Sequence, residues 1–324
     1  MGIKYLNNFL RTKCEDSIKS ISISELSGKK IAIDISIYMY KYESNNTLIE
    51  NMYLMLAIFR QYNIIPIFIF DGKPPTEKKA LLKKRNEDKK EAENEYNILK
   101  QKLENNVSSN EDKEEIISNM DLLKKQFIYI TREKINQVKS LIMSYGATYY
   151  DARGEADELC AQLVLKNKAW ACLSEDMDMF VYGCTRVIRY LSLFNGTAVL
   201  YDIKGILENL GLTQKELREI CVLSGTDYNI QNLDKTLHNF DLYENMKLFN
   251  TYKKENTKIE FYEWIKNNSN YIINYELLQK IYDMFDLKKS SLEIFENIKI
   301  INGPIDNENI KNILKIDGFI FPPN

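Results

Sequence analysis

The chain has 324 residues, 44% of them hydrophobic, and a formal net charge of −2. That length and apolar content suffice for one large α/β domain or two smaller ones and exclude a disordered chain. No apolar run of 18 residues and no secretory leader occurs, so neither membrane insertion nor export is expected. Met1-Gly2 opens a myristoylation pattern, but Leu6 breaks it where Ser or Thr is needed.

Two residue counts narrow the chemistry. The five cysteines, Cys14, Cys160, Cys172, Cys184 and Cys221, are odd in number and lack Cys-x-x-Cys spacing. They read as buried, reduced thiols of an intracellular protein rather than as a disulfide framework or a zinc knuckle. The one histidine, His238, lies in the polar stretch "KTLHNF" and reads as solvated or satisfied. Ser-His-Asp and Cys-His triads and histidine-rich metal sites lose their usual residue, so catalysis would rest on carboxylates with lysine or arginine.

In chain order, apolar β-branched runs alternate with helical stretches: "KKIAIDIS", "IIPIFIFDG", "ATYYDARG", "AWACLSED", "RVIRYLSL" and "TAVLYD". Continuous apolar character predicts strands covered on both faces, hence an α/β fold with a mostly parallel central sheet flanked by helices. Ligands of such sheets lie beyond the carboxyl ends of the strands. Asp34, Asp71, Asp151 and the acids of "WACLSEDMDMFVYG" (Glu175, Asp176, Asp178) fall at those ends. Asp151 reads better as a capping or surface acid. Buried carboxylates are costly to keep ionised without counter-charge, so the group requires basic side chains or a metal. Oxygen donors without histidine or cysteine favour magnesium or manganese.

Different material fills Lys73 to about Arg132. From Lys73 to Lys90 eight basic residues face three acidic ones, directly after the acidic strand end at Asp71. Pro74 and Pro75 predict a helix start near Thr76. Lys78 and Arg85, two turns apart, then share one face. By itself such a run reads as a solvated charged helix. Beyond Asp227 the chain is polar and helical in texture, with no internal repeat.

The stretches "MGIKYL", "IAIDISIYMY", "FIFDGKPP", "GEADELCAQL", "LSEDMDMFVYG" and "LSGTDYN" resemble, in order and spacing, the motifs of the XPG/flap-endonuclease family of structure-specific 5′ nucleases. "GPIDNENIKNILKIDGF" extends the likeness to nearly the whole chain. The resemblance implies a PIN-like 5′-nuclease fold with nuclease segments at 1–72 and 133–228. A helical arch over 73–132 and a helical C-terminal region over 229–324, with a degenerate helix-two-turn-helix, would complete it. It implies that Asp34, Asp71, Glu155, Asp157, Asp176, Asp178 and Asp227 hold two Mg2+ or Mn2+ ions for phosphodiester hydrolysis. Glu175 would face away. Lys78 and Arg85 would bind the scissile phosphate and stabilise transition-state charge. Lys83 and Lys84 would steer DNA phosphates, Tyr40 would stack the terminal base and Gly2, after loss of Met1, would tuck against DNA.

The implied activity is 5′ flap endonuclease and 5′–3′ exonuclease action on branched or 5′-ended DNA in replication, repair or recombination. The implied enzyme is a monomer working in nucleus or cytoplasm. Junction- or gap-specific relatives share the fold, and a DNA-binding scaffold would have lost its acids, which here are all filled. A haloacid-dehalogenase-like phosphatase would need Asp-x-Asp where the chain has Asp34-Ile35-Ser36. The pattern departs from the family at Asp157, where a glutamate is usual and Glu158 stands beside it. It departs also after Asp227, where no glycine occurs between Gly225 and Gly303. Glycines let a backbone approach phosphate, so duplex binding there would be weaker and a potassium site is not expected. No clamp-binding peptide of the Gln-x-x-Leu type stands near the C-terminal "IDGFIFPPN". The Asn/Ile/Lys/Tyr-rich composition resembles that of AT-rich microbes and large DNA viruses.

Overall fold

The computed structural model describes residues 2–104, 110–229, 241–287 and 300–321. The apolar runs pair into one seven-stranded sheet. Its strands are β1 (Ile18–Ser22), β2 (Lys30–Asp34), β3 (Ile65–Phe70), β4 (Thr148–Asp151), β5 (Ala171–Leu173), β6 (Arg186–Ser192) and β7 (Thr197–Asp202), in spatial order β1-β7-β6-β5-β2-β3-β4. The five strands from β6 to β4 run parallel, while β7 and β1 are antiparallel additions at one edge. β1 carries only Ile18 and Ile21 among polar residues, too weak an apolar pattern to stand out in the sequence.

Alternate side chains of each central strand enter two separate cores, as the period of two demands. Ala32, Ile67, Ile69 and Cys172 face one core, with α1 (Leu6–Lys13), α7 (Ala156–Leu165), α8 (Asp178–Tyr182) and α10 (Gln214–Leu223). Ile31, Ile33, Phe68 and Phe70 face the other, with α2 (Ile35–Glu43), α3 (Leu48–Gln61) and α6 (Arg132–Ser144). Each buried Ile or Phe among them contributes about 1.5–3 kcal/mol by leaving water, and this double coverage holds the central strands in place. All five cysteines are free and buried.

The basic segment begins as a 3-10 turn at Thr76–Lys78 and continues as α4 (Lys79–Glu104), which α5 (Asn110–Lys124) follows. Only Leu81 and Ala92 of α4 are buried, so this helix is carried over the sheet rather than built into its core. The predicted connection includes residues 105–109, which lie outside the described residues. α9 (Ile203–Leu210) follows β7. Beyond it, α11 (Leu242–Glu255), α12 (Phe261–Asn268) and α13 (Tyr275–Met284) extend the first core through Phe249, Phe261 and Leu278. His238 and the start of the expected helix-two-turn-helix, residues 230–240, lie outside the described residues.

The last helix, α14 (Asn307–Ile316), returns to the second core through Ile310, Ile313 and Leu314. It docks on the turn after α6, where the Gly303 amide donates to the Gly146 carbonyl at 2.7 Å and the Asp306 amide to that of Ser144 at 2.7 Å. Gly146 has φ +68°, and a Cβ there would lie 2.5 Å from the Gly303 backbone. Gly146→Ala is therefore expected to destabilise the protein by about 2–3 kcal/mol, read as a lower urea midpoint with unchanged slope.

Candidate active site

The ends of the parallel strands, the start of α7 and the chain after α10 meet at one cleft of about 520 Å³, lined by Asp34, Asp71, Glu155, Asp157, Asp176 and Asp227. Asp34 ends β2, and its carboxylate accepts the Ser174 hydroxyl at 3.3 Å. Ser174, just past β5, also accepts the Asp176 amide at 3.1 Å, so one hydroxyl ties two strand ends together. Asp71 follows β3 and accepts the Ala156 amide at 2.9 Å, at the positive end of α7. That helix is preceded by Glu155 and carries Asp157 in its first turn. Asp176 Oδ1 accepts the Asp178 amide at 2.9 Å, which fixes the turn into α8.

Positive charge arrives from the opposite wall. Lys78 Nζ contacts Glu155 Oε1 at 2.6 Å and Asp227 Oδ2 at 3.6 Å, and Arg85 Nη2 donates to Asp227 Oδ2 at 3.0 Å. The second Glu155 oxygen accepts the Tyr228 hydroxyl at 2.5 Å. Burial opposes the Lys78 charge, but Glu155 and Asp157 outweigh it and hold its pKa above the usual lysine value.

These cations do not balance the acids. Burial, then the charges of Asp71 and Asp176, push the Asp34 carboxyl up to about 8. Asp157 and Asp178 are held well above the ordinary carboxylate range, in each case by burial and then by Asp176. Asp178 is 3% exposed, and its Oδ1 is buried without a hydrogen-bond partner. A neutral side chain would sit there more comfortably, so an anionic one at this place implies a cation to meet it. The donor set, oxygen throughout, suits a hard divalent ion. As the side chains stand, no group of three or more acids among the described residues closes around one ion, and the Lys78 ammonium lies between Glu155 and Asp227.

Residues 1–92 match the XPG N-terminal domain and residues 146–227 the XPG I-region. Flap endonuclease 1 of Methanococcus aeolicus is 31% identical over 275 residues, which cover 78% of this chain and 78% of that protein. The chain belongs to the XPG/flap-endonuclease family. Flap endonuclease 1 of Glossina morsitans morsitans is 28% identical over 70% of this chain, which spans only 61% of the length of that relative. The catalytic core of Rad2 in complex with DNA substrate shares the fold, with a TM-score of 0.68, 18% identity and coverage of 98% of this chain and 95% of that one.

Against this family pattern, Asp34, Asp71, Glu155, Asp157, Asp176 and Asp227 line one cleft with Lys78, Arg85 and Tyr40, and Asp178 lies directly behind Asp176. Glu158 turns into a neighbouring cleft, where its carboxylate accepts the Gln162 amide at 3.0 Å. Glu175 points the other way, accepting the Tyr190 amide at 2.6 Å and pairing with Arg189. Asp151 pairs with Lys139 at 2.5 Å. Lys83 and Lys84 are exposed and do not line the cleft. Tyr40 is 45% exposed, which removes the reading as a core tyrosine. Gly2 lies against the acids themselves: a Cβ there would stand 2.6 Å from both Asp176 Oδ1 and Asp178 Oδ1.

Ser174, Tyr228 and Lys89 were not singled out from the sequence. "LSGTDYN" did include Tyr228, and Lys89 shares a helix face with Lys78 and Arg85.

Two variants test this geometry. Because the folded-state pKa of Asp178 is raised, its neutral form is the stable one; its stabilising contribution is complete below the ordinary carboxylate value and is lost as pH rises through the folded one. With EDTA, Asp178→Asn should therefore melt a few degrees above the unsubstituted protein at pH 8, with a smaller gap at pH 5. Gly2→Ala, with φ +74° and no room for a Cβ, should push against the buried Asp176 and Asp178 and lower the melting temperature by a few degrees.

Proposed function

We propose that this protein is a divalent-metal-dependent, structure-specific nuclease that hydrolyses DNA phosphodiesters beside an unpaired 5′ strand, acting as a 5′ flap endonuclease and 5′–3′ exonuclease. The observation that carries this reading is the meeting of seven acids at one set of strand ends with a helix-borne lysine and arginine on the facing wall. The XPG match over both regions that supply these residues supports it.

Asp34, Asp71, Glu155, Asp157, Asp176, Asp178 and Asp227 would hold two Mg2+ or Mn2+ ions. When bound, such ions supply charge to activate water, polarise the scissile phosphate and stabilise the leaving oxygen. The protein's own side chains set the rest. Ser174 and the Ala156 amide orient Asp34 and Asp71, and Tyr228 holds Glu155 from the side opposite Lys78. Lys78 and Arg85 are bound to carboxylates that would turn to the ions, which frees both cations for the phosphate. Arg85 offers a planar fork for two phosphate oxygens, and Lys78 a point charge. Both sit on the first turns of the arch, so their approach to the acids depends on how that segment settles over the strand.

The test is cleavage of end-labelled double-flap DNA beside nicked, gapped, blunt and four-way-junction DNA, with Mg2+, Mn2+ or EDTA. Metal-dependent incision near the base of the 5′ flap is the expected result. Incision of junctions alone would keep the chemistry and change the substrate; no cleavage with either ion would overturn the reading. Lys78→Ala should lower kcat by about 10²–10³ with little change in DNA affinity.

A further inference from the structure

The mouth of the cleft holds an arrangement that the acids and their two cations do not use. Lys89 lines the cleft with Arg85 and Asn86, four residues beyond Arg85 on the same face of α4. Its ammonium stands 5.0 Å from the centre of the Tyr40 ring and 5.4 Å from that of Tyr129. The same ammonium donates to the Ile128 carbonyl at 2.9 Å. One cation is thus shared by two rings from sequence-distant elements, Tyr40 on α2 and Tyr129 in the extended segment leading to α6.

Tyr129 is held in place from its outer end. Its hydroxyl donates to Glu93 on α4 at 3.1 Å. Two residues earlier, Phe127 meets Tyr96 of α4 edge to face, with ring centres 5.4 Å apart. The ring itself is not core: Tyr129 is 52% exposed, as Tyr40 is 45% exposed. Exposed aromatic rings around one cation are what a single strand recognises, because it presents base, phosphate and base in that order and every base has a stackable face. Glu93 beside Tyr129 repels a phosphate at that end, so the ring has a base to offer a surface to rather than a backbone.

We propose that Tyr129 is a second base-stacking ring of this site: Tyr40 and Tyr129 each take the face of one unstacked base of an unpaired DNA strand, and Lys89 leaves the Ile128 carbonyl for the phosphate between them. This deepens the nuclease reading and rests on it. A strand whose scissile phosphate lies at Lys78 and Arg85 meets Lys89 next along α4. Stacking tolerates any base, so the site adds affinity for an unpaired strand without sequence preference.

The test is fluorescence anisotropy with labelled 5′-flap DNA, Ca2+ replacing Mg2+, using flaps with all bases present and flaps carrying one abasic nucleotide at each position in turn. The half-exposed position of Tyr129 leaves the fold intact on substitution, which melting curves check. Tyr129→Ala should bind the base-bearing flap about tenfold more weakly, and Tyr129→Phe within twofold of the unsubstituted protein. At one flap position, removing the base should cost the unsubstituted protein that same factor and cost Tyr129→Ala nothing further. Lys89→Met should reduce the slope of log affinity against log salt by about one.

Equal binding of the base-bearing flap by Tyr129→Ala, or the same added loss at every abasic position for both proteins, overturns the proposal. An unchanged salt slope overturns the part given to Lys89. If the unsubstituted protein cleaves flaps while Tyr129→Ala binds them normally, the nuclease reading survives and this one fails; if the unsubstituted protein neither binds nor cleaves them, both fail.

Discussion

Seven carboxylates gathered at the carboxyl ends of one sheet repel one another, and the surrounding structure answers that repulsion. The cost of burying them together shows in Asp34, pushed up to about 8 by burial and then by Asp71 and Asp176, and in the buried, unpartnered Oδ1 of Asp178. A fold could relieve such crowding by moving the acids apart. Asp34, Asp71 and Asp176 have little room to do so, because β2, β3 and β5 are buried on both faces and their ends are pinned by Ser174 and the first amide of α7. The sheet's rigidity thus maintains a site that is electrostatically unfavourable until positive charge enters it.

Positive charge comes from two sources that compete. Lys78 and Arg85 already pair with Glu155 and Asp227, and a divalent ion would take the same oxygens. On the proposed reading, that competition would couple metal entry to release of the two cations toward a phosphate, and so the acids of the cleft to the basic helix on its facing wall. The segment that carries them is lightly anchored, with Leu81 and Ala92 the buried residues of α4. Its polar contacts with the rest include Lys78 and Arg85 to the acids, Lys89 over the Tyr40 ring, and Glu77 to Lys280 of α13 at 2.6 Å.

The central strands were legible because burial on both faces writes an unbroken apolar run, as in "IPIFIF". β1 was not, since an edge strand buries little and reads as a polar stretch. The meeting of Asp34, Asp71, Asp176 and Asp178 could be read from their places at strand ends, whereas Glu155, Asp157 and Asp227 came from the family resemblance, as did the roles of Lys78 and Arg85 within an otherwise ordinary charged helix. Ser174 and Tyr228 escaped notice because a serine or tyrosine carries no signal of its own; their meaning lies in Asp34, 140 residues away, and Glu155, 73 residues away. Asp157, the shorter acid, was a departure on paper, yet it lines the cleft while Glu158 does not.

The central claim is that burial, and then the neighbouring acids, raise the carboxyls of Asp34, Asp157 and Asp178, so that a divalent ion entering the cleft would displace protons from them. Calorimetric titration of the protein with Mg2+ at pH 7, in two buffers of different ionisation enthalpy, measures the protons exchanged. The account predicts release of at least one proton per chain, falling when Asp34→Asn removes one of the raised carboxyls. Binding with no proton release, or no binding at millimolar Mg2+, would contradict it.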